Sequence, residues 1–111
     1  MAKFIMVYKG QATDMAAMSE EQQQGVLDKW KSWMGKVGSG LVDIGLPFGP
    51  SASVVDDGST GNASSLSGYS IVEDSSLDAA KSMTNGHPYL SEGKGDFSID
   101  LFELMPVPFE A

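Results

Sequence analysis

The stretch running from Ser19 to Gly40 constrains the fold more than any other part of the chain. Ser19 is followed three positions later by Gln22, a capping-box arrangement that satisfies orphan amides at a helix start. Glu20 and Glu21 then occupy the first turn, where the helix dipole favours negative charge. Beyond them Val26, Leu27, Trp30, Trp33, Met34 and Val37 stand at offsets of 0, 1, 4, 7, 8 and 11. These offsets trace one helical face, while Asp28, Lys29, Lys31 and Lys36 lie off it. Gly38 and Gly40 end the segment. The pattern predicts a long amphipathic helix that needs an apolar surface to lie on.

That surface has to come from strands. Phe4, Ile5, Met6, Val7 and Tyr8 form a short apolar run closed by Lys9 and Gly10, which suits a strand buried on both faces. Residues 11–18 lack a strand pattern and read as a loop leading into the helix. Residues 41–44 read as a second strand, interrupted by Gly45, Leu46 and Pro47; a proline in that place implies an edge strand or a bulge. Ser53, Val54 and Val55 resume extended character before a glycine-rich polar cluster, so a long hairpin is expected here, with segment 56–65 its most mobile part. Tyr69, Ser70, Ile71 and Val72 make the third main strand. Ser75 and Asp78 suggest a second capping box, and Leu77, Ala79, Ala80 and Met83 a short helix that stops at Asn85 and Gly86. Phe97, Ile99 and Leu101 alternate with polar residues as a half-buried last strand should, and Pro106 and Pro108 close the sheet-forming region.

Strand, helix, strand, strand, helix, strand is the order of a ferredoxin-like α+β sheet with two helices on one face. The 111 residues suffice for one domain, 1–111, with a single core. Two helices cannot cover Met6, Tyr8, Tyr69, Ile71, Phe97 and Ile99 together, so a second copy packed face to face is expected, giving a homodimeric α/β barrel.

Composition narrows the function classes. Asp and Glu outnumber Lys and Arg by 15 to 7, a net charge of −8 that repels nucleic acid and anionic lipid. All seven basic residues are lysines, so no planar guanidinium fork is available for an anionic substrate. Without cysteine there is no thiolate catalysis or thiolate metal site, and with one histidine no metal is expected; no cofactor is expected either. No apolar run is long enough to span a membrane, and the start of the chain lacks a secretory pattern, which makes the cytoplasm the expected location. The expected ligand is a small neutral or aromatic molecule.

Several stretches together resemble the YCII-related family: Trp30-Lys31-Ser32-Trp33, Leu41-Val42-Asp43-Ile44-Gly45-Leu46-Pro47, Gly68-Tyr69-Ser70-Ile71, Ser76-Leu77-Asp78-Ala79-Ala80 and His87-Pro88-Tyr89. The resemblance covers nearly the whole chain. It implies the same ferredoxin-like dimer and, in some members, an enzymatic role resting on a paired His and Asp in a cleft. In that branch the His lies in the first helix and the Asp precedes the Pro-Tyr. Here His87 stands before Pro88 and Tyr89, and the first-helix position falls near Asp28, so the resemblance implies a pair with its partners exchanged.

His87 is the only side chain with an ordinary pKa near neutrality. Placed after a helix C-terminus, it reads either as one half of an acid–base pair with a raised pKa or as a cap for the helix carbonyls. As a partly exposed loop residue it is expected to contribute little to the core. Asp28 of the same chain and Asp43 of a second copy are its candidate partners. Asp43 shares strand parity with Leu41, which puts its charge among apolar neighbours if that face is inward; it also reads as a solvent-facing edge carboxylate or a cap for the turn at Gly45. Trp30 reads as core or as a stacking platform, and Tyr89, beside His87, joins it as a candidate ligand contact. Two functions stay open: a small-molecule enzyme using His87 with Asp43 or Asp28, and a non-catalytic dimer that binds a small ligand or a protein.

Overall fold

The computed structural model describes residues 1–10, 15–91 and 93–107. Residues 11–14 and Pro108, both read from the sequence above, lie outside that set.

Helix α1 (Glu20–Val37) begins as its sequence requires. The Ser19 hydroxyl accepts from the Gln22 amide at 3.2 Å, and the Gln22 side chain accepts from the Ser19 amide at 3.0 Å. The stripe is narrower than six apolar residues suggest. At about 100° per residue, Val26, Trp30, Trp33 and Val37 fall within about 60° of arc, while Leu27 and Met34 sit about 80–100° round from Val26. The first four face the sheet; Leu27 and Met34 are exposed.

Strands β1 (Ala2–Lys9), β2 (Leu41–Asp43), β5 (Leu66–Asp74) and β6 (Ser98–Leu104) form one antiparallel sheet in the order β2-β5-β1-β6. The connection between the second and third main strands, expected as one long hairpin loop with a polar turn at 56–62, instead carries two short strands of its own, β3 (Ser53–Val54) and β4 (Thr60–Gly61), which pair with each other apart from the main sheet. With α1 and α2 (Leu77–Ser82) on one face, this is a ferredoxin-like α+β fold.

Strand alternation decides what is covered. Phe4, Met6 and Tyr8 point to the helices and are buried together with Val72, Ala80 and Trp33. Ile5 and Val7 point the other way and are only half-buried, which corrects the expectation that β1 is buried on both faces. The predicted open-face set is corrected too. Met6, Tyr8 and Ile99 lie on the helix side, whereas Ile5, Ile71 and Phe102 stand in register across three strands of the uncovered side. Phe102 is 57% exposed.

Helix α2 starts one residue later than its sequence suggests. Ser76, in extended conformation, caps it by accepting from the Ala79 amide at 3.1 Å. Ser75 instead gives its amide to the Asp74 side chain at 2.7 Å. So short a helix leaves most of its carbonyls without intrahelical partners, and α1 supplies donors just beyond its end. Trp33 Nε1 donates to the Met83 carbonyl at 2.8 Å, and Lys36 Nζ to the Asn85 carbonyl at 2.9 Å. The chain after α2 is thereby held against α1, and this places His87.

Candidate functional site

His87 is 1% exposed and lies inside the core rather than on a loop surface. Three aromatic rings enclose it, with centroids at 4.3 Å (Trp33), 4.9 Å (Trp30) and 5.1 Å (Tyr8). Both ring nitrogens are engaged. Nδ1 accepts from the Tyr89 amide at 3.0 Å, which caps the 3-10 helix Pro88–Leu90. A nitrogen that accepts an amide carries no proton, so in the neutral ring the proton sits on Nε2. Nε2 therefore donates to the Tyr8 hydroxyl, 3.1 Å away.

Donor counting then orients the rest of the chain. The Tyr8 hydroxyl lies 2.5 Å from Ser70 Oγ, and Ser70 Oγ donates to the Ile44 carbonyl at 2.6 Å. A carbonyl only accepts, so the Ser70 proton is committed to Ile44 and Tyr8 must donate to Ser70. Every proton in the relay from His87 through Tyr8 and Ser70 to Ile44 runs one way.

Burial sets the charge states. Desolvation lowers the His87 pKa from 6.5 to about 4, so the ring is neutral at physiological pH. The expectation of a raised pKa is corrected: the apolar cage penalises the imidazolium, and no carboxylate among the described residues contacts the ring. Desolvation also raises the Tyr8 pKa to about 12, against a smaller opposing effect of its hydrogen bond to Ser70.

The structure does not bring the predicted acid–base partners together. Asp28 is exposed on α1 and accepts from Gln24 Nε2 at 2.9 Å. Asp43 accepts from the Gly45 amide at 2.9 Å and receives the Tyr69 hydroxyl at 3.5 Å, the turn-capping alternative read from the sequence. The inward alternative is corrected by an irregularity in β2. Leu41 pairs with Val72 but Asp43 with Ile71, so Asp43 changes face and turns outward. Within the chain both His87 ring nitrogens are already engaged. His87 caps a turn, but as a neutral acceptor for an amide rather than as a cation on helix carbonyls. Among the described residues, no group of three or more His, Cys, Asp or Glu could hold a metal ion.

Beside this relay is a cleft of about 470 Å³. Its walls are α1, through Val26, Lys29 and Trp30; the segment 44–47, which continues the sheet edge past β2; and the turn carrying Pro88 and Tyr89. Tyr8, Ser67 and Gly68 line it from the sheet and Phe97 closes one side. Glycines make the close approach possible. Gly45 has φ +76°, and a Cβ there would run into the Tyr69 carbonyl oxygen. Pro47 bridges Gly68, so the predicted edge proline sits where no ladder amide is lost.

Trp30 and Tyr89, singled out from the sequence, both line this cleft, and Tyr8 stacks on Tyr89 at 5.2 Å. His87 does not line it; it stands behind Tyr8. The sequence reading passed over Tyr8, Ser67, Ser70 and Phe97. Ser70 shares strand parity with Val72, so a polar residue on an inward face was the available signal. Tyr8 ended an apolar strand and gave none.

Fold and cleft together define a ferredoxin-like α+β domain with an aromatic-walled, small-molecule-sized cavity at one end of its sheet. No protein-family model matches the chain, and no curated protein sequence matches it. Among solved structures it is similar to 5-chloro-2-hydroxyhydroquinone dehydrochlorinase (TftG) from Burkholderia phenoliruptrix AC1100, in complex with 2,5-dihydroxybenzoquinone. The TM-score is 0.55 at 13% identity, over 93% of each chain, so the shared property is the fold.

Proposed function

We propose that this protein is a homodimer whose cleft binds a small, flat, mostly apolar molecule, and that binding rather than His–Asp catalysis is its basic activity. The observation that carries the reading is the cleft itself: about 470 Å³, walled by Tyr8, Trp30, Tyr89 and Phe97, and joined to a buried, fully hydrogen-bonded relay. Cavities of roughly 300–1,000 Å³ with a few fixed polar groups are typical of small-molecule sites. The YCII-like resemblance belongs with this proposal, as does dimerisation through the face bearing Ile5, Ile71 and Phe102.

Turnover is the second reading, favoured by one fact: the similar fold cited above is that of an enzyme. In that case the groups that touch substrate are the Tyr8 and Tyr89 hydroxyls, with His87 orienting Tyr8 from behind. Burial pushes the Tyr8 pKa up to about 12, which weighs against Tyr8 as a general base near neutral pH.

The test is titration of the protein with one- and two-ring aromatic compounds, 2,5-dihydroxybenzoquinone among them, followed by tryptophan fluorescence and amide chemical shifts. Saturable shifts at residues 29–30, 44–47 and 88–91, abolished in Trp30→Ala, are expected. An absence of saturable binding across the set would overturn the proposal, and product formation would favour the second reading.

A further inference from the structure

The hydroxyls of Tyr8, Ser67 and Tyr89, on one wall of the cleft, differ from a typical polar wall in one respect: their protons are already spent. Tyr8 gives its proton to Ser70, whose own proton goes to the Ile44 carbonyl. On the other side, Ser67 Oγ donates to the Tyr8 carbonyl at 3.3 Å and lies 2.6 Å from the Tyr89 hydroxyl. Because the carbonyl only accepts, Ser67 donates to it and Tyr89 must donate to Ser67. Tyr8, Ser67 and Tyr89 are all cleft-lining residues, and each has its hydroxyl proton directed into the protein.

From this polarity we infer that the cleft selects flat aromatic molecules that donate a hydrogen bond, phenols or ring N–H compounds, over isosteres that only accept. This deepens the binding reading above and rests on it. Among the described residues the Tyr89 oxygen makes no hydrogen bond besides the one to Ser67, so its lone pairs are what it offers a ligand. Tyr8 already accepts from His87 and holds a spare lone pair at most. A carbonyl, ether or carboxylate oxygen set against Tyr8, Ser67 and Tyr89 meets lone pairs rather than protons, and is left without a partner on that wall after desolvation; the Trp30 indole and the Ser91 hydroxyl belong to other parts of the lining. Among the described residues Lys29 is the single charged one in the lining, but it is exposed, and a solvated ammonium at the rim gives little grip on an anion. His87 acts as a positioning residue. By donating from Nε2 it holds the Tyr8 proton on Ser70 and so sets the sign of the floor.

Four naphthalenes of similar shape test this against the wild-type protein by amide chemical shift titration: 2-naphthol, 2-fluoronaphthalene, 2-methoxynaphthalene and 2-naphthoate. One hydrogen bond to a neutral acceptor corresponds to roughly fivefold to tenfold in affinity, so 2-naphthol is expected to bind tighter than the fluoro compound by about that factor. The methoxy compound and the carboxylate are expected to bind no better than the fluoro compound. In Tyr89→Phe the ring and its stacking remain but the acceptor is gone, and the preference for 2-naphthol should collapse toward unity. Ser70→Ala frees the Tyr8 proton, and the methoxy compound should then gain relative to its wild-type affinity. Equal binding of all four to the wild type, or tighter binding of the methoxy compound or the carboxylate, overturns the inference and leaves the binding reading standing. A naphthol preference that persists unchanged in Tyr89→Phe also overturns it. Failure of every compound to bind overturns both.

Discussion

His87 shows how burial reverses a residue's expected role. In water an imidazole titrates near 6.5, and beside a carboxylate it would titrate higher; enclosed by Tyr8, Trp30 and Trp33, it is held down to about 4. The consequence for stability has a definite sign. Between pH 6.5 and about 4 the unfolded chain takes up a proton that the folded chain refuses, so stability is full above that window and falls as pH drops through it. The full loss is about 3 kcal/mol at most. Urea unfolding at pH 7 and pH 4.5 should show it, and His87→Gln should flatten the dependence; equal pH slopes in the two proteins would refute the assignment. Nitrogen chemical shifts should also report the Nε2-protonated tautomer at neutral pH. Replacing His87 by Ala removes partners from the Tyr89 amide and the Tyr8 hydroxyl and opens a cavity. It is expected to cost about 2–4 kcal/mol, far more than a loop residue would.

At the scale of elements, the cleft depends on how closely the segment after β2 can run beside β5. Gly45 is the residue that allows it, through its positive φ and through the absence of a Cβ beside the Tyr69 carbonyl. Gly45→Ala should therefore cost about 2 kcal/mol or more and disturb the cleft wall at residues 44–47. Thermal unfolding combined with amide shifts of that segment would check both parts. An unchanged midpoint would mean the segment can draw away from β5 without loss. The α1 cap gives a contrasting case. Ser19→Ala removes one half of a reciprocal hydrogen-bonded pair on the exposed start of a long helix, so a loss of about 1 kcal/mol is expected with the cleft shifts unaltered. The hairpin of β3 and β4 has only two residues in each strand. Hydrogen exchange should find segment 56–65 the least protected, and strong protection there would require a packing partner.

Across the whole molecule, the two faces of the sheet have unequal fates. Helices α1 and α2 bury Phe4, Met6 and Tyr8, whereas Ile5, Ile71 and Phe102 form an apolar row that no helix or strand of the described residues covers. The row is flanked at one end by the exposed ion pair of Lys9 and Asp100, 3.4 Å apart. Burying it against a second copy is the simplest removal of apolar surface from water. Sedimentation should give about twice 11.7 kDa, and Phe102→Glu should give the monomer. A wild-type monomer at micromolar concentration would end the homodimer proposal. Among the described residues no helix is long and apolar enough to cross a membrane.

The amino-acid sequence by itself determined the order of the main strands and helices, the start and end of α1 and the edge character of Pro47. Each of these follows from period, caps and turn chemistry, which act over a few neighbouring residues. Only the tertiary structure decided the rest. Strand parity set Asp43 on the face of Leu41, but an irregularity in pairing with β5 turned it out. Six apolar residues defined the α1 stripe, but the contact with the sheet accepted four. His87 read as a titratable group near a helix end, and became a neutral acceptor because distant segments close around it. Its hydrogen-bond partner Tyr8 is 79 residues away in sequence. Burial and the direction of a hydrogen bond depend on what arrives from elsewhere in the chain, and local pattern carries no record of that.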